Sequence, residues 1–356
     1  MTRVTDTEYE KSDSRPIAYI PGLDGLRFIA FLLVFYFHFN LETGVGWYGV
    51  DLFFVISGYL ITTILISIKK SGGRLFPFYV RRALRILPLY YLFLIVAIGF
   101  FGYHSGGNAS LLANITHTSN LYFGYTGQWF LPKHVWSLSM EEQFYLLWPL
   151  VVLLLSVPNL QRLLRYMIMS AVLARIAAHL AGFSPTAIYT LPWFRWDTLG
   201  SGALLALSIE SHDPIVSFIS RYRWKFLILS VLVIWCATAG NIVKNASLAW
   251  PAIGFSSVIL ACGCLVAAVI NRDYLVNVLE VAPLRFLGKI SYGLYLWHPL
   301  VRWLLIKYFG EMWGNPANQD PLIIALTLLG TVLIASVSWF LFERPILSLK
   351  RVVAYS

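Results

Sequence analysis

Residues 146–157 read LLWPLVVLLLSV, a run without a charged side chain. The whole chain has 356 residues, of which 58% are hydrophobic and only 12% are charged. Soluble domains carry about 25% charged residues, so this chain has roughly half of the charge that a water-exposed surface needs. The composition excludes a disordered chain, a coiled coil and a soluble globular domain. It indicates an integral membrane protein, in which such runs predict helices because the backbone must satisfy its own hydrogen bonds in hydrocarbon.

Apolar runs long enough to cross about 30 Å of hydrocarbon recur along the chain. They cover residues 22–40, 47–68, 86–102, 135–156, 163–181, 192–209, 224–240, 249–270, 286–309 and 321–342. The expected fold class is an all-α integral membrane protein, a single bundle of about ten transmembrane helices. A polar tail at 1–18 precedes this bundle, which is placed at 19–345, and a short tail follows at 346–356.

Positive charge is distributed unevenly among the connections between these runs. Most of the 27 lysines and arginines lie in the two tails and in alternate connections, whereas the opposite connections hold Lys133 and Lys244. Cytoplasmic connections carry the excess of Lys and Arg in membrane proteins, so both termini are expected in the cytoplasm. Topology then explains the formal net charge of +10, and no nucleic-acid partner is expected.

The first span contains three ionisable residues, Asp24, Arg27 and His38. Because a charge in hydrocarbon is costly, an ionisable residue within a span points to function. The separation of eleven positions from Arg27 to His38 corresponds to about 16 Å of helical rise. Arg27 is therefore expected near the cytoplasmic end of the helix, and His38 near the outer end.

Further charged residues are expected on the outer side at a depth similar to that of His38. They are Asp51, Glu141, Glu142, Arg195 and Asp197. A carboxylate can orient an imidazole that titrates near neutral pH, so this set is a plausible acid–base constellation. Each residue alone could instead reach the interfacial water, and for Asp51 alone that alternative is favoured.

The cytoplasmic side carries the segment FPFYVRRALRILPLYY at 76–91, with Arg81, Arg82 and Arg85. Guanidinium groups bind phosphates through paired hydrogen bonds. Membrane topology and contact with anionic lipids also explain basic residues at a cytoplasmic helix end, without any bound ligand. The residues alone leave both interpretations open.

Four other features have structural interpretations by default. The aromatic residues of the connection 103–134 could stack on a sugar, although interfacial anchoring is the default for Trp and Tyr. His298, in ISYGLYLWHPL at 290–300, is interpreted as a packing residue, with the lining of a pore as the alternative. Glu343 and Arg344, in FERP at 342–345, are interpreted as a helix end with a local ion pair. The cysteines at 236, 262 and 264 are expected to be buried free thiols.

Seven segments together resemble the acyltransferase-3 family of membrane-bound O-acyltransferases. They are PGLDGLRFIAFLLVFYFH at 21–38, GVDLFFVISGYLIT at 49–62, FYVRRALRILPLYYL at 78–92, HVWSLSMEEQFYLLWPL at 134–150, LGSGALLAL at 199–207, GKISYGLYLWHPL at 288–300 and FERP at 342–345. They follow the family order across nearly the whole chain. The resemblance implies transfer of an acyl group from acyl-CoA to a hydroxyl of an extracytoplasmic glycan or a small metabolite.

The resemblance also implies roles for individual residues. Arg27 and His38 match the family's arginine-x10-histidine motif, and Arg82 and Arg85 match its arginine-x-x-arginine motif. Phe28 departs from the glycine that is usual after LDGLR, which affects packing near Arg27 but not the spacing of the motif.

The family's essential glutamate corresponds to Glu141 or Glu142, of which Glu142 is preferred. Many relatives carry an additional SGNH esterase-like domain outside the membrane, and none is expected in this chain.

The expected site follows from both lines of reasoning. The catalytic residues are His38, Glu142 and Arg27, the supporting residues are Asp24, Asp51, Glu141, Ser137 and Asp197, and the acyl-CoA-binding residues are Arg82, Arg85 and Arg81. His38 is expected to act as general base on the acceptor hydroxyl, or as an acyl carrier. No metal and no bound cofactor are expected, and acyl-CoA, with acetyl-CoA first, is the co-substrate.

The expected protein is a multi-pass enzyme of the bacterial inner membrane, with the bilayer itself as a partner. The expected acceptor is an exopolysaccharide, an O-antigen or a lipid-linked sugar, with polysaccharide-assembly proteins as possible partners. The alternatives are acylation of a macrolide-type small molecule and a glycan exporter without catalysis. A transporter would also bury charges between helices, but the sequence has neither an inverted repeat nor paired broken helices.

Overall fold

The computed structural model describes residues 19–39, 47–211, 213–239, 250–309 and 320–353, and every regular element among them is helical. The α-helices are α1 (Pro21–Phe39), α2 (Tyr48–Ser71), α3 (Leu75–Leu94), α4 (Asn108–Ile115), α5 (Ser119–Thr126), α6 (Trp136–Leu154), α7 (Val157–Leu180), α8 (Pro185–Thr190), α9 (Trp196–Ser211), α10 (Pro214–Arg221), α11 (Arg223–Ala239), α12 (Phe255–Ile270), α13 (Leu275–Leu279), α14 (Ala282–Lys289), α15 (Ser291–Phe309), α16 (Pro321–Ser338) and α17 (Arg344–Ser348). Short π-helical segments extend α3 to Phe100, precede α12 at Trp250–Gly254 and follow α16 at Trp339–Glu343.

The all-helical class is confirmed, and each predicted span overlaps a helix of at least 16 residues in the described part of the chain. Six helical segments are long and apolar enough to cross a membrane. They are Pro21–Phe39, Tyr48–Ser71, Leu75–Phe100, Val157–Leu180, Trp250–Ile270 and Pro321–Val352. The other four helices are either short, as α9 and α11 are with 16 and 17 residues, or less apolar because they carry charged residues, as α6 and α15 do. About ten spans and two cytoplasmic termini therefore remain predictions.

The run at 146–157 has the two faces expected of a helix at the surface of a membrane bundle. Trp148 and Val152 are buried against the other helices, whereas Leu146, Leu150 and Leu154 are exposed. Exposed leucines in a row would be a liability in water, but they suit a surface that contacts lipid.

The most extensive helix packing among the described residues is between α2 and α9. Gly58 of α2 lies against the backbone carbonyl of Leu199, and Gly202 of α9 lies against that of Val55. A Cβ atom at either glycine would overlap the opposite backbone. Small residues permit such contacts in membrane bundles, and this contact fixes the face of α2 that carries the buried polar residues described below.

Helix α1 occupies the interior of the bundle, where it packs against α2, α14 and α15. Phe31 and Phe35 face this core together with Phe54 of α2. The core thus holds α1 in one orientation, which places Arg27 and His38 at opposite ends of a rigid element.

Several boundaries differ from the predicted ones. The basic segment before the third span belongs to the same helix, which begins at Leu75. The ninth span is interrupted at Ile290, between α14 and α15. The predicted tail at 346–356 is helical as far as Val352. Cys236 is exposed rather than buried, because it lies on the outer surface of α11. The predicted tail at 1–18 lies outside the described residues.

Candidate active site

Two neighbouring cavities lie inside the bundle. The larger one, the His38 cavity, has a volume of about 780 Å³ and is lined by residues of α1, α2, α7, α8, α12 and α15 and by the segment before α6. The smaller one, the arginine cavity, has a volume of about 60 Å³ and is lined by residues of α1, α2, α3, α6 and α15. Five charged side chains line it: Arg27, Arg82, Arg85, Glu141 and Glu142.

His38 lies at the end of α1 and lines the larger cavity. Its Nδ1 atom is 2.9 Å from the carbonyl oxygen of Val34, one turn earlier, and 3.2 Å from Nε2 of His298. Among the described residues no carboxylate forms a hydrogen bond or ion pair with the ring. The sequence predicted that Glu142 or Asp51 orients this imidazole, whereas the structure places both carboxylates elsewhere.

The three arginines of the arginine cavity donate few hydrogen bonds to other protein groups. The Nε atom of Arg27 donates to Ser291 Oγ at 3.1 Å, and Nη2 of Arg85 donates to the carbonyl of Lys289 at 3.3 Å. Arg82 forms no hydrogen bond or ion pair with the described residues, and its guanidinium lies 5.8 Å from the ring centroid of Tyr145. Arg82 and Arg85 lie on one face of α3 because they are three residues apart.

The two glutamates of α6 lie in the same cavity. Glu141 Oε1 accepts a hydrogen bond from Ser57 Oγ at 2.7 Å. Glu142 Oε1 is buried and has no partner among the described residues. Neither carboxylate forms an ion pair with Arg27, Arg82 or Arg85, so within the described residues the arginines remain available for an anion.

Two residues, Val50 and Tyr295, line both cavities and so form the partition between them. The hydroxyl of Tyr295 donates to the carbonyl of His134 at 2.9 Å and lies 2.6 Å from Ser137 Oγ. Ser137, a predicted supporting residue, therefore holds the tyrosine of this partition.

The His38 cavity and the arginine cavity thus lie next to each other within one helical bundle. A family model described as an acyltransferase domain matches residues 20–340 of the chain. This chain belongs to the acyltransferase-3 family. No solved structure matches it.

Named relatives of this chain come from several bacteria. The peptidoglycan O-acetyltransferase OatA of Listeria monocytogenes is 31% identical over 309 residues, which is 79% of this chain and 49% of the relative. The putative peptidoglycan O-acetyltransferase YrhL of Bacillus subtilis is 28% identical over 364 residues, 92% of this chain and 55% of the relative. A putative O-acetyltransferase of Staphylococcus aureus is 29% identical over 380 residues, 95% of this chain and 58% of the relative. The chain spans about half the length of these curated relatives.

Asp51 and Asp197 pair with buried arginines rather than with His38. Asp51 pairs with Arg195, and Asp197 Oδ2 lies 2.7 Å from Arg175 Nη1. All four side chains are at most 1% exposed. Arg195 also lies over the ring of Phe255, 4.7 Å from its centroid. The network joins α2, α7 and α9, and its Arg195 contacts the rings of Phe255 and Tyr189, which line the His38 cavity.

The remaining predicted site residues lie outside both cavities. Asp24 accepts a hydrogen bond from the hydroxyl of Tyr19. Arg81 donates through Nε to the carbonyl of Val353 at 2.6 Å and through Nη2 to that of Lys350 at 3.2 Å. Arg81 therefore holds the C-terminal segment against α3, on a different face from Arg82.

The predicted ion pair at the end of the last span is not formed. Glu343 is buried, and its Oε1 lies 3.4 Å from Ser338 Oγ, whereas Arg344 forms no ion pair with it. The reason is geometric, since the π-helical turn at Trp339–Glu343 directs Glu343 into the bundle.

His298 is the site residue that sequence reasoning did not select. It is buried in α15 and contacts His38 directly. Its segment was part of the family resemblance, but 260 positions separate it from His38, so no local pattern indicates the contact. In the part of the chain that the structure describes, no group of His, Cys, Asp and Glu is arranged to hold a metal ion.

The His38 cavity has an aromatic lining. Of the aromatic residues predicted in the loop 103–134, Tyr103 and Trp129 line it. Four more tryptophans also do so: Trp47, Trp136, Trp250 and Trp303. Lys133 and Arg302 are the cationic residues among the described lining.

Proposed function

We propose that this protein is a membrane O-acetyltransferase. It moves an acetyl group from cytoplasmic acetyl-CoA to a hydroxyl of a cell-envelope glycan on the outer side of a bacterial cytoplasmic membrane. One observation carries the proposal: a cavity lined by His38 and a cavity lined by Arg82 and Arg85 share two lining residues, Val50 and Tyr295. Family membership supports acyl transfer, and the names of the relatives support acetyl as the acyl group and peptidoglycan as an acceptor.

The arginine cavity suits the donor. Guanidinium groups bind phosphate oxygens through paired, charge-assisted hydrogen bonds, and Arg82 has no competing partner among the described residues. The cavity volume of about 60 Å³ holds no more than a few water molecules. The nucleotide of acetyl-CoA therefore remains towards the cytoplasmic mouth, and its pantetheine arm enters only when the side chains of the partition move.

The His38 cavity suits the acceptor. Its volume of about 780 Å³ lies within the roughly 300–1,000 Å³ of small-molecule sites. Tryptophan rings provide flat surfaces on which a sugar ring can pack. The cavity is therefore large enough for one or two sugar units to reach His38.

The proposed reaction is direct transfer. His38 removes the proton of the acceptor hydroxyl while the hydroxyl oxygen attacks the thioester carbonyl. The carbon–sulfur bond breaks as the tetrahedral intermediate collapses, and the coenzyme A thiolate receives a proton from the imidazolium. Lys133 and Arg302, which line the same cavity, provide positive charge near the developing oxyanion.

The function is tested in liposomes that contain the purified protein. Oligosaccharides from peptidoglycan are enclosed in the lumen, and acetyl-CoA with a labelled acetyl group is added outside. The expected result is label in the enclosed oligosaccharides, recovered as an ester that mild base removes. Release of oligosaccharides without label would indicate an exporter and would contradict the proposal, as would the absence of both label and export with every acceptor tested.

The donor site is tested by comparing neighbouring arginines of α3. Replacing Arg82 or Arg85 with alanine is expected to raise KM for acetyl-CoA by about 10- to 100-fold, since each removes charge-assisted hydrogen bonds worth about 1.5–3 kcal/mol. Arg81→Ala is the matched control, because Arg81 binds the C-terminal backbone instead. Equal effects of all three substitutions on KM would contradict donor binding by Arg82 and Arg85. These arginines would then serve only membrane topology.

A further inference from the structure

Three histidines from distant parts of the chain meet beside the His38 cavity. The ring centroids of His38 and His298 are 4.8 Å apart, and those of His134 and His298 are 5.7 Å apart. His38 comes from α1, His134 from the segment before α6 and His298 from α15. Their hydrogen-bond partners determine which ring nitrogen of each carries the proton.

His298 has acceptors at its Nδ1 atom. This nitrogen lies 2.9 Å from the carbonyl oxygen of Tyr295 and 3.2 Å from that of Leu294. A carbonyl only accepts hydrogen bonds, so Nδ1 of His298 must carry a hydrogen. The side chain is 1% exposed and lies among apolar rings. Burial of an unpaired charge there is unfavourable, so the ring is neutral and its lone pair is on Nε2.

The proline after His298 explains why the carbonyl of Tyr295 is available. In a regular helix this carbonyl would accept a hydrogen bond from the backbone N–H of residue 299. Pro299 has no N–H group, so it leaves the carbonyl of Tyr295 without its helical partner. The sequence YLWHP at 295–299 therefore contains the histidine, the carbonyl that accepts from its Nδ1, and the proline that leaves this carbonyl free.

His38 then has two acceptors at its own Nδ1 atom. One is the lone pair of His298 Nε2 at 3.2 Å, and the other is the carbonyl of Val34 at 2.9 Å. Both require a hydrogen on Nδ1 of His38. A neutral imidazole has only one N–H, so the lone pair of His38 is on Nε2.

We propose that His298 is a positioning residue that, together with the carbonyl of Val34, holds His38 in the tautomer and orientation in which its Nε2 can accept a proton from the acceptor hydroxyl. This inference rests on the proposed role of His38 as base. His298 then does what a carboxylate does in a catalytic triad, where the partner fixes the tautomer and orientation of the histidine. Inside a membrane a neutral imidazole is buried at a lower free-energy cost than a carboxylate, which loses the hydration of its charge.

The packing around His298 keeps this partner rigid. Its ring centroid lies 5.6 Å from that of Phe31 and 6.2 Å from that of Phe35, both on α1. His38 lies on the same helix as these two phenylalanines. Their packing therefore holds the rings of His298 and His38 in a fixed relative position. A rigid partner is required because a small displacement of a catalytic group costs a large part of the rate.

The tautomer itself can be measured without any assay of acyl transfer. The protein has seven histidines, and nitrogen NMR of isotopically labelled histidine in lipid nanodiscs distinguishes protonated from unprotonated ring nitrogens. Signals of His38 and His298 are assigned by their loss in the His38→Gln and His298→Leu variants. Both rings are expected with a protonated Nδ1 and an unprotonated Nε2, and a protonated Nε2 on neutral His38 would overturn the proposal.

Kinetics of two variants separate positioning from packing. His298→Leu, which fills the space without an acceptor, is expected to lower kcat about 10- to 100-fold with little change in KM for acetyl-CoA, as for the loss of partners that orient reactive groups. His298→Gln is expected to recover most of this loss, since its amide oxygen can accept the hydrogen bond from His38. His117→Gln is the matched control, because His117 is also buried but lines neither cavity.

The outcomes distinguish this inference from the proposed function. If both variants at 298 lose activity equally while the nitrogen signals of His38 do not change, His298 is only a packing residue and the inference fails. If acyl transfer survives in a His38 variant, the proposed role of His38 fails. The NMR result would still show whether His298 sets the tautomer of His38.

Discussion

The substitution His38→Ala is expected to lower the rate of acyl transfer by about 10³-fold, within the roughly 10²- to 10⁴-fold contribution of a general base. His38 lines the large cavity, and both partners of its Nδ1 are acceptors, so it presents a basic nitrogen to a bound hydroxyl. The measurement is labelled acetyl transferred to oligosaccharide in liposomes, normalised to the amount of folded protein. KM for acetyl-CoA is expected to change little, because the proposed donor contacts lie in the other cavity.

The control for this prediction is again His117→Gln, which removes a buried histidine away from both cavities. Acyl transfer at the normal rate in His38→Ala would remove the catalytic assignment. A stable acetylated form of the protein in the absence of acceptor would instead support the alternative in which His38 carries the acyl group.

A second large effect is expected on stability. Asp51→Ala is expected to lower the free energy of unfolding by about 3–5 kcal/mol, because it leaves the fully buried guanidinium of Arg195 without its carboxylate. Both side chains are fully buried, and Arg195 is enclosed by aromatic rings, among them those of Phe255 and Tyr189. The measurement is unfolding in detergent, followed by tryptophan fluorescence at increasing denaturant.

The double variant Asp51→Leu with Arg195→Met tests whether the loss of stability comes from the unpaired charge. It is expected to recover most of the lost stability, since apolar side chains of similar volume leave no charge unpaired. Arg162→Ala is the matched control, because Arg162 is exposed and forms no ion pair with the described residues, and such surface substitutions change the free energy of unfolding by about 0.5 kcal/mol or less. A wild-type unfolding curve for Asp51→Ala would contradict the account of the buried pair.

The same double variant tests whether Asp51 supports catalysis directly. If Asp51 acts only through the wall of the cavity, the stable double variant retains acyl transfer once folded protein is normalised. Loss of activity in a stable double variant would restore the sequence-based expectation that this carboxylate serves His38.

The membrane environment explains why so many polar groups of this protein have partners. Arg175, Arg195, Asp51 and Asp197 form one network with charge compensation. In contrast, Arg82 forms no ion pair or hydrogen bond with the described residues although it lines an internal cavity. The guanidinium of Arg82 lies over the aromatic rings of Phe78 and Tyr145, and a cation so placed within a membrane protein agrees with the proposed binding of an anionic donor in this cavity.

The amino-acid sequence was sufficient to predict the helical class and the position of each long helix. Hydropathy is a local property, and in hydrocarbon a continuous apolar run has the helix as its only stable form other than a closed barrel. The sequence also identified Arg27, His38, Arg82 and Arg85 as special, and all four line one of the two cavities. Helix ends were less well predicted, as at Ile290, because the ends depend on how the chain packs.

Only the tertiary structure decided which polar group meets which. Asp51 pairs with Arg195, 144 positions away, and His38 contacts His298, 260 positions away. The rotation of each helix about its axis selects these partners, and that rotation is set by the fit of side chains from distant segments, such as Gly58 and Gly202 at the contact of α2 with α9. Periodicity along the sequence shows which face of a helix is polar, but not which distant face it will meet.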